Sequence, residues 1–179
     1  MSKLIVTRGL PASGKTTWAK NWVNENRSQR ARVNRDDIRE NLFGLEGYAY
    51  DYESEKAVTF AQHAMIRALL KAGRDVVSDD TNLKARFVRE LRNIARQNHA
   101  DFEINDSFLS VDRAVCQARN LYRTGTAHVE PRVIDDMYDR YIAGGIAPIL
   151  DDPEPTEYGV EAVNWEAVGS RPSAFLWVS

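Results

Sequence analysis

The sequence predicts an α/β fold in which a parallel β-sheet carries helices on both faces. Short β-branched, apolar runs alternate along the chain with amphipathic stretches at helical spacing, the pattern of β–α–β units. The first apolar run, residues 4–7, leads directly into Gly9-Leu10-Pro11-Ala12-Ser13-Gly14-Lys15-Thr16. This segment has the form G-x-x-x-x-G-K-[ST] of a phosphate-binding loop, which requires a strand before it and a helix after it.

The other elements follow from the same two periodicities. β-branched, apolar runs predict three further strands and a last one near the end of the chain, at residues 31–33, 75–78, 102–109 and 175–178. Helical spacing predicts a helix from Thr17 onward, one beginning at Pro131, and others over residues 37–42, 52–72, 83–97 and 110–122. Gly73 and the pair Gly144-Gly145 are expected to end two of these helices.

Two of the predicted helices are long enough to assign a buried face. The helix over 52–72 is expected to bury Val58, Ala61, Met65, Ala68 and Leu69. The helix over 83–97 is expected to bury Phe87, Leu91, Ile94 and Ala95, and to leave mostly exposed Arg86, Arg89, Arg92 and Arg96. Ser110 is the expected cap of the helix over 110–122.

Length and composition limit the classes of protein to be considered. A chain of 179 residues with 43% hydrophobic and 28% charged residues predicts one ordinary globular domain. We expect this domain to span residues 1–146, and residues 147–179 to form a C-terminal extension that ends in the last predicted strand. A net charge of -2 argues against a non-specific nucleic-acid coat protein, because no broad basic surface is available.

Cysteine content and hydropathy indicate where the protein works. Cys116 is the single cysteine, so no internal disulfide can form, which favours a reducing, cytoplasmic location (the host cytoplasm if a phage encodes the chain). No apolar signal core or membrane-length stretch is present, so a membrane is not an expected partner. The sequence is compatible with either a monomer or a homo-oligomer.

The phosphate-binding loop predicts that ATP, or another nucleoside triphosphate, binds together with Mg²⁺. The glycines allow consecutive backbone N–H groups to turn inward around phosphate oxygens, and the positive end of the following helix points at the same anion. Lys15 is expected to reach the β- and γ-phosphates, and the Thr16 hydroxyl to bind Mg²⁺. The predicted nucleotide contacts in the loop are Gly9, Pro11, Ala12, Ser13, Gly14, Lys15, Thr16 and Thr17.

A polar cluster after the second predicted strand supplies a candidate general base. Ligands bind outside the carboxyl ends of the strands in open parallel sheets, so Asp36 is well placed to accept the proton of a hydroxyl acceptor. Arg39 lies one helical turn further on and could clamp an acceptor phosphate. The alternatives are a helix cap, a task that suits Asp37 better than Asp36, and a surface ion pair between Arg39 and Asp36.

A second polar cluster, Asp79-Asp80-Thr81-Asn82, follows the third predicted strand. Asp80 is the candidate for the carboxylate that holds the water shell of Mg²⁺, with Asp79 as the alternative one residue away. Asp80, Thr81 and Asn82 are also predicted to lie at the acceptor. The competing interpretation is that Thr81 or Asn82 caps the following helix.

Two arginines predict a helical lid over residues 119–130. Arg119 and Arg123 are four residues apart and therefore share a helix face just before the Gly125 break. On a mobile segment they could close over the nucleotide and neutralise charge on the transferred phosphoryl group. An ordinary solvated helix face is the alternative.

Four motifs together resemble the 5′-kinase domain of phage T4-type polynucleotide kinases. In order they are the loop with Thr17-Trp18-Ala19, then Asn34-Arg35-Asp36-Asp37-Ile38-Arg39, then Ser78-Asp79-Asp80-Thr81-Asn82-Leu83, then Ala118-Arg119-Asn120 with Arg123 and Gly125-Thr126. The resemblance covers residues 3–141. It implies transfer of the γ-phosphate of a nucleoside triphosphate to a 5′-hydroxyl end of DNA or RNA.

The same resemblance implies roles for particular residues. Asp36 would be the base on the 5′-hydroxyl and Arg39 the contact to the acceptor's 3′ phosphate. Lys15, Thr16 and Arg123 would lie at the donor phosphates, and the terminal nucleobase would rest near Val129. The chain departs from the family at Thr124, one extra residue beside the lid, which leaves the choice between Arg119 and Arg123 open.

A second departure concerns the end of the chain. Residues 171–178 resemble the first strand of the family's phosphatase domain, but Trp177 replaces the nucleophilic Asp, so we expect no 3′-phosphatase activity. Two other functions compete with the polynucleotide kinase. One is a small-molecule kinase that acts on a sugar, a nucleoside or a sugar nucleotide. The other is a nucleotide-dependent switch, which would leave Asp36 and Arg39 without a role.

Overall fold

The centre of the fold is a four-stranded parallel sheet. The computed structural model describes residues 1–44, 51–145 and 149. The strand order is β2-β3-β1-β4, and the strands are β1 (Lys3–Thr7), β2 (Arg30–Val33), β3 (Asp75–Ser78) and β4 (Asp101–Asn105). Leu4 of β1 pairs with Val76 on one side and Phe102 on the other. The chain therefore changes direction across the sheet between β1 and β3, where ligands bind in such folds.

Helices connect the strands, and several of them begin at a capping side chain. They are α1 (Lys15–Glu25), α2 (Arg35–Phe43), α3 (Tyr52–Lys71), α4 (Ala85–Gln97), α5 (Arg113–Asn120) and α6 (Pro131–Tyr141). The Asn34 side chain accepts hydrogen bonds from two backbone N–H groups of α2, and Asp51 does the same for one N–H of α3. Pro131 occupies the first turn of α6, where its missing N–H is not needed.

The sheet is covered on both faces, which confirms the predicted fold class. Leu4, Val6 and Val76 pack with side chains of α3 and α4, whereas Ile5 and Val77 pack with α1 on the opposite face. This alternation follows from the period of two along a strand. A separate apolar cluster joins the phosphate loop to α5 and α6, and its buried members are Leu10, Leu83, Cys116, Ile134 and Met137.

Three predicted boundaries near α5 are wrong. The fourth strand ends at Asn105 because the chain turns into a 3-10 turn over Ser107–Ser110, instead of continuing as a strand to residue 109. Asp112, not Ser110, caps α5 by accepting a hydrogen bond from the N–H of Ala114. The helix ends at Asn120, two residues before the predicted end.

The predicted buried faces of α3 and α4 are correct only in part. The side of α3 that packs inward contains Glu55, Val58, Gln62, Ile66 and Leu70, whereas Met65 and Ala68 are exposed. In α4, Val88 occupies the buried position expected for Phe87. In α3 the error has a physical cause: the polar side chains of Glu55 and Gln62 take up inward positions, and an apolar pattern does not reveal them.

The helix ends predicted at glycines agree in one case: α6 ends at Tyr141, before Gly144, whereas Gly73 does end α3. Gly73 has a φ of 76° and directly follows Ala72, the C-cap of α3, as expected of a helix-ending glycine. The last predicted strand and nearly all of the C-terminal extension lie outside the described residues. No helix that the structure describes is long and apolar enough to span a bilayer.

Among the glycines that the structure describes, Gly9 is the one where a side chain fits worst. A Cβ atom placed there would lie 2.8 Å from Phe108 Cβ and 2.9 Å from the Phe108 carbonyl oxygen. We expect Gly9→Ala to lower the free energy of unfolding by about 1–3 kcal/mol, because backbone must move to relieve the overlap. Gly144→Ala meets no atom within 4 Å and is the control, with an effect within about 0.5 kcal/mol. Urea unfolding that shows equal effects would contradict this account.

Candidate active site

A cavity of about 690 Å³ lies beside the phosphate loop and the residues that follow β2 and β3. It brings together most of the residues predicted for a site, namely Pro11, Ala12, Gly14, Lys15, Thr16, Asp36, Arg39, Asp80, Thr81, Asn82, Arg123 and Val129. The predicted contacts Gly9, Ser13, Thr17 and Arg119 are not part of the cavity wall. Three separate strand ends therefore contribute to one concave surface.

The phosphate loop is held open by two left-handed residues and by Lys15. Ala12 has a φ of 62° and Gly14 a φ of 104°, which turns the backbone between them inward. Lys15 Nζ donates to the carbonyl oxygens of Gly9 at 2.9 Å and Leu10 at 2.7 Å, so it lies inside the loop. Burial lowers the pKa of Lys15 to about 8, and the nearby carboxylate of Asp79 opposes that shift.

The two carboxylates after β3 have different surroundings. Asp80 accepts hydrogen bonds through both oxygens: Oδ1 from the backbone N–H of Arg35 at 2.9 Å, and Oδ2 from Gln62 at 2.5 Å and Ser78 at 3.1 Å. Burial raises the pKa of Asp80 to about 6. Asp79 is fully buried and lies 2.9 Å from Arg32 Nε through Oδ1, whereas its Oδ2 has no hydrogen-bond partner among the described residues.

This difference bears on where Mg²⁺ would bind. Asp80 already satisfies both oxygens with protein donors, whereas the Oδ2 of Asp79, a residue that lines the cavity, is buried and has capacity for a further partner. Together with the Thr16 hydroxyl it offers the oxygen ligands that Mg²⁺ prefers. No cluster of three His, Cys, Asp or Glu side chains that could hold a metal occurs in the described residues.

A buried carboxylate on α3 organises the candidate base. Glu55 accepts from Arg39 Nε at 2.6 Å and from Arg39 Nη2 at 2.8 Å, and it also accepts from Arg35 Nη2 at 2.8 Å. Arg39 is only 1% exposed and donates through Nη1 to Asp36 Oδ1 at 2.5 Å. The Asp36 side chain is 76% exposed, so its carboxylate stands at the cavity surface with one oxygen fixed from behind.

The pair Asp36–Arg39 therefore exists, but it is not the surface ion pair considered as the alternative. Asn34 caps α2, so the interpretation of Asp36 or Asp37 as that cap is wrong. Asp37 instead forms an ion pair with Arg32. The proposed caps of α4 are wrong too, since Lys84 occupies that position and the Asn82 side chain donates to the carbonyl oxygens of Thr7 and Asp80.

The segment predicted as a lid places one of the two predicted arginines at the cavity. Arg123 lies beyond the end of α5, donates to the Ala127 carbonyl at 3.1 Å, and has a pKa lowered by burial. Arg119 is exposed on α5, so the two do not share a helix face. Asn120 is fully buried and bonds both backbone groups of Val129, which ties the lid to the helix.

Glu55, Gln62 and Asn120 are functional candidates that sequence reasoning missed. A signal for the first two is present in the sequence: both are polar side chains at the spacing of Val58, Ile66 and Leu70 on the inner face of α3. A buried carboxylate or amide on such a face needs polar partners, and partners at strand ends indicate a site. No comparable signal marks Asn120, because its partner is the backbone nine residues away.

Glu55→Gln tests the buried network through its pH dependence. Burial alone would raise the pKa of Glu55, but hydrogen bonds from Arg39 and Arg35 outweigh burial and lower it from 4.5 to about 2. The stabilisation is therefore complete above the unfolded pKa and disappears as the pH falls through about 2. We expect the free energy of unfolding of the variant to be about 3 kcal/mol below that of wild type at pH 7. This difference should become smaller between pH 5 and pH 2.

Glu53→Gln is the matched control, because Glu53 lies on the same helix in an exposed pair with Lys56. Its effect on the free energy of unfolding should stay within about 0.5 kcal/mol at either pH. Urea unfolding at several pH values measures both variants. A Glu55→Gln gap that does not change with pH would mean that the carboxylate is not held ionised by the arginines.

Comparison with solved structures supports the fold. The chain superimposes on a protein of the Pnkp1/Rnl/Hen1 RNA repair complex with a TM-score of 0.65 and 27% identity, over 78% of this chain and 44% of that chain. It therefore spans less than half the length of that relative. Kti12 from Chaetomium thermophilum, in complex with ADP-AlF3, matches with a TM-score of 0.59 and 19% identity over 85% and 82% of the two chains, which shows the fold alone.

A curated relative and a family model complete the comparison. Over 86 residues the chain is 34% identical to fructose-bisphosphate aldolase 2 of Rhodobacter capsulatus, which is 44% of this chain and 75% of that protein. An aldol reaction transfers no phosphoryl group, so that name does not explain the phosphate loop. The model of a family described as an AAA domain matches residues 4–143. This chain belongs to that AAA domain family, and it has the α/β fold of the P-loop kinases.

Proposed function

We propose that this chain is a kinase that transfers the γ-phosphate of ATP, or of another nucleoside triphosphate, to the 5′-hydroxyl end of DNA or RNA. The observation that carries the proposal is the exposed Asp36 carboxylate, fixed by the buried Arg39 in the same cavity as the phosphate loop. A similar fold at 27% identity in an RNA repair complex supports a nucleic-acid acceptor.

The transfer step assigns Asp36 as general base. The 5′-hydroxyl oxygen attacks the γ-phosphorus while the bond from that phosphorus to the bridging oxygen breaks, and the nucleoside diphosphate leaves. Asp36 accepts the hydroxyl proton through the carboxylate oxygen that Arg39 does not hold. Arg39 orients this carboxylate, and Glu55 in turn orients Arg39.

The donor side is assigned to the loop and the lid. Lys15 and Arg123 would neutralise charge on the phosphates, and the loop N–H groups would bind the phosphate oxygens. Mg²⁺ would neutralise charge between the β- and γ-phosphates, with the Thr16 hydroxyl and a carboxylate after β3 as protein ligands. The orphaned oxygen of Asp79 favours that residue, whereas the saturated Asp80 suits the task of positioning Arg35 and Asn34.

A small-molecule kinase is the second candidate, and the burial of Arg39 favours it. Its guanidinium already donates to Glu55 and Asp36, so an acceptor phosphate would have to share or displace these contacts. A sugar or nucleoside acceptor without a phosphate makes no such demand. The two functions differ in whether the enzyme requires a phosphate 3′ of the accepting sugar.

An acceptor panel decides between the two functions. Purified protein with labelled nucleoside triphosphate and Mg²⁺ is offered a nucleoside, its 3′-monophosphate, a 5′-hydroxyl oligonucleotide, and free sugars. We expect transfer to the oligonucleotide and the 3′-monophosphate, with kcat/KM at least about tenfold higher than for the nucleoside, the equivalent of one lost charged hydrogen bond. Equal kcat/KM for the nucleoside and its 3′-monophosphate would show that the enzyme does not recognise the acceptor phosphate. Transfer only to sugars would overturn the proposal.

The substitution Asp36→Asn tests whether Asp36, and not the neighbouring Asp37, is the general base. We expect the variant to lose about 10²–10⁴-fold in kcat, because a positioned base contributes about that much, while the nucleotide still binds. Asp37→Asn is the matched control, since Asp37 is an exposed partner of Arg32 and should change kcat little. Single-turnover transfer and calorimetric nucleotide binding measure both. If Asp37→Asn were the inactive variant, the base would be misassigned by one residue.

A further inference from the structure

A set of aromatic and basic side chains lines the cavity away from the residues assigned to phosphoryl transfer. Tyr52, Lys56 and Phe60 lie on α3, and Lys84, Arg86 and Phe87 lie at the start of α4. We call these six residues the α3–α4 surface. None of them is required by the transfer step described above, so their position on the cavity wall needs a separate explanation.

Three residues of the α3–α4 surface lie on one face of α3. Tyr52, Lys56 and Phe60 are spaced four residues apart, so they form one stripe along the helix. Phe60 is 76% exposed and Tyr52 is 62% exposed, although both are large rings. Single exposed apolar side chains are common on proteins. Here three rings line one cavity, Tyr52 and Phe60 on α3 and Phe87 on the adjoining helix, and together they form a patch of the kind that marks binding sites.

Cations lie against two of the three rings. Lys56 Nζ is 5.9 Å from the centroid of the Tyr52 ring, and Phe87 has both Lys84 at 5.6 Å and Arg86 at 5.3 Å. Acidic neighbours offset part of this charge, since Glu53 is 3.9 Å from Lys56 and Glu90 is 3.2 Å from Arg86. The net positive charge is therefore small, and ring faces are the larger part of what the surface offers.

We propose that the α3–α4 surface binds the nucleotides that follow the accepting 5′ nucleotide in a single strand. Unpaired bases stack on aromatic rings whatever their sequence, while nearby cations contact the backbone phosphates. The surface belongs to the same cavity as Asp36, so a strand whose 5′ end lies at Asp36 continues along it. A duplex would not satisfy the surface, because paired and stacked bases have no free faces. This inference rests on the proposed function.

The inference predicts a dependence on acceptor length. The KM of wild type should fall as the single-stranded acceptor grows from a nucleoside 3′-monophosphate to a hexanucleotide, and a blunt duplex should gain nothing. Phe60→Ala should raise the KM for the hexanucleotide about tenfold, a typical loss for one stacking contact, and leave the KM for the 3′-monophosphate unchanged. Phe60→Tyr, which keeps a ring, should behave as wild type. The salt dependence should stay shallow because few phosphates are neutralised.

Met65→Ala is the matched control, since Met65 is an exposed apolar residue of α3 that does not line the cavity. It should change the KM of neither acceptor. Fluorescence anisotropy of a labelled single-stranded hexanucleotide gives a readout that needs no turnover, and Phe60→Ala should weaken binding about tenfold there as well.

The outcomes separate the surface from the proposed function. If wild type has the same KM for the 3′-monophosphate and the hexanucleotide, the α3–α4 surface does not bind the strand, whereas the proposed kinase activity is unaffected. Phe60-dependent binding of the hexanucleotide without any transfer would support the surface and overturn the kinase. A Phe60→Ala effect of equal size on both acceptors, or no effect on hexanucleotide binding, would overturn the surface.

Discussion

The candidate site depends on one buried carboxylate. Glu55 on α3 receives hydrogen bonds from Arg39 and Arg35 of α2, so it fixes the two helices against each other and aims Arg39 at Asp36. A charge this deeply buried is tolerated only when its partners are complete. Removal of Glu55 would leave Arg39 without its main partner and also loosen Asp36, the proposed base, so stability and the proposed chemistry depend on the same contacts.

Two carboxylates also lie at the end of β3, but only one of the two has partners for both oxygens within the part of the chain that the structure describes. Asn34 donates to both Asp79 and Asp80 while its oxygen caps α2, so one side chain links the start of a helix to two carboxylates. Asp80 is saturated by its donors and acts as a scaffold. The neighbouring Asp79 keeps one oxygen without a partner among the described residues, the kind of unsatisfied group that a cation can complete.

Much of the fold could be predicted because local and global signals agree. The apolar runs of β1 and β3, the loop Gly9–Thr16 and the terminating Gly73 each have a local cause, and the structure has an element where each was predicted. Capping was predicted poorly, since Asp, Asn and Ser all suit the task and only the fold selects Asn34 and Asp112. The fourth strand was predicted too long because the apolar pair Phe108-Leu109 was counted as strand, whereas it belongs to a turn that packs Phe108 close to Gly9.

The site was predicted less completely because the residues that hold it in place are buried. Residues that bind or react face the cavity and belong to recognisable motifs, whereas residues that hold them are buried on elements with no motif. Glu55, Gln62 and Asn120 are of this second kind. A net charge of -2 provides no long-range attraction for a polyanion. Several of the cations that line the cavity are already paired with carboxylates, so recognition of the proposed acceptor would rely on geometry and aromatic faces more than on a long-range field.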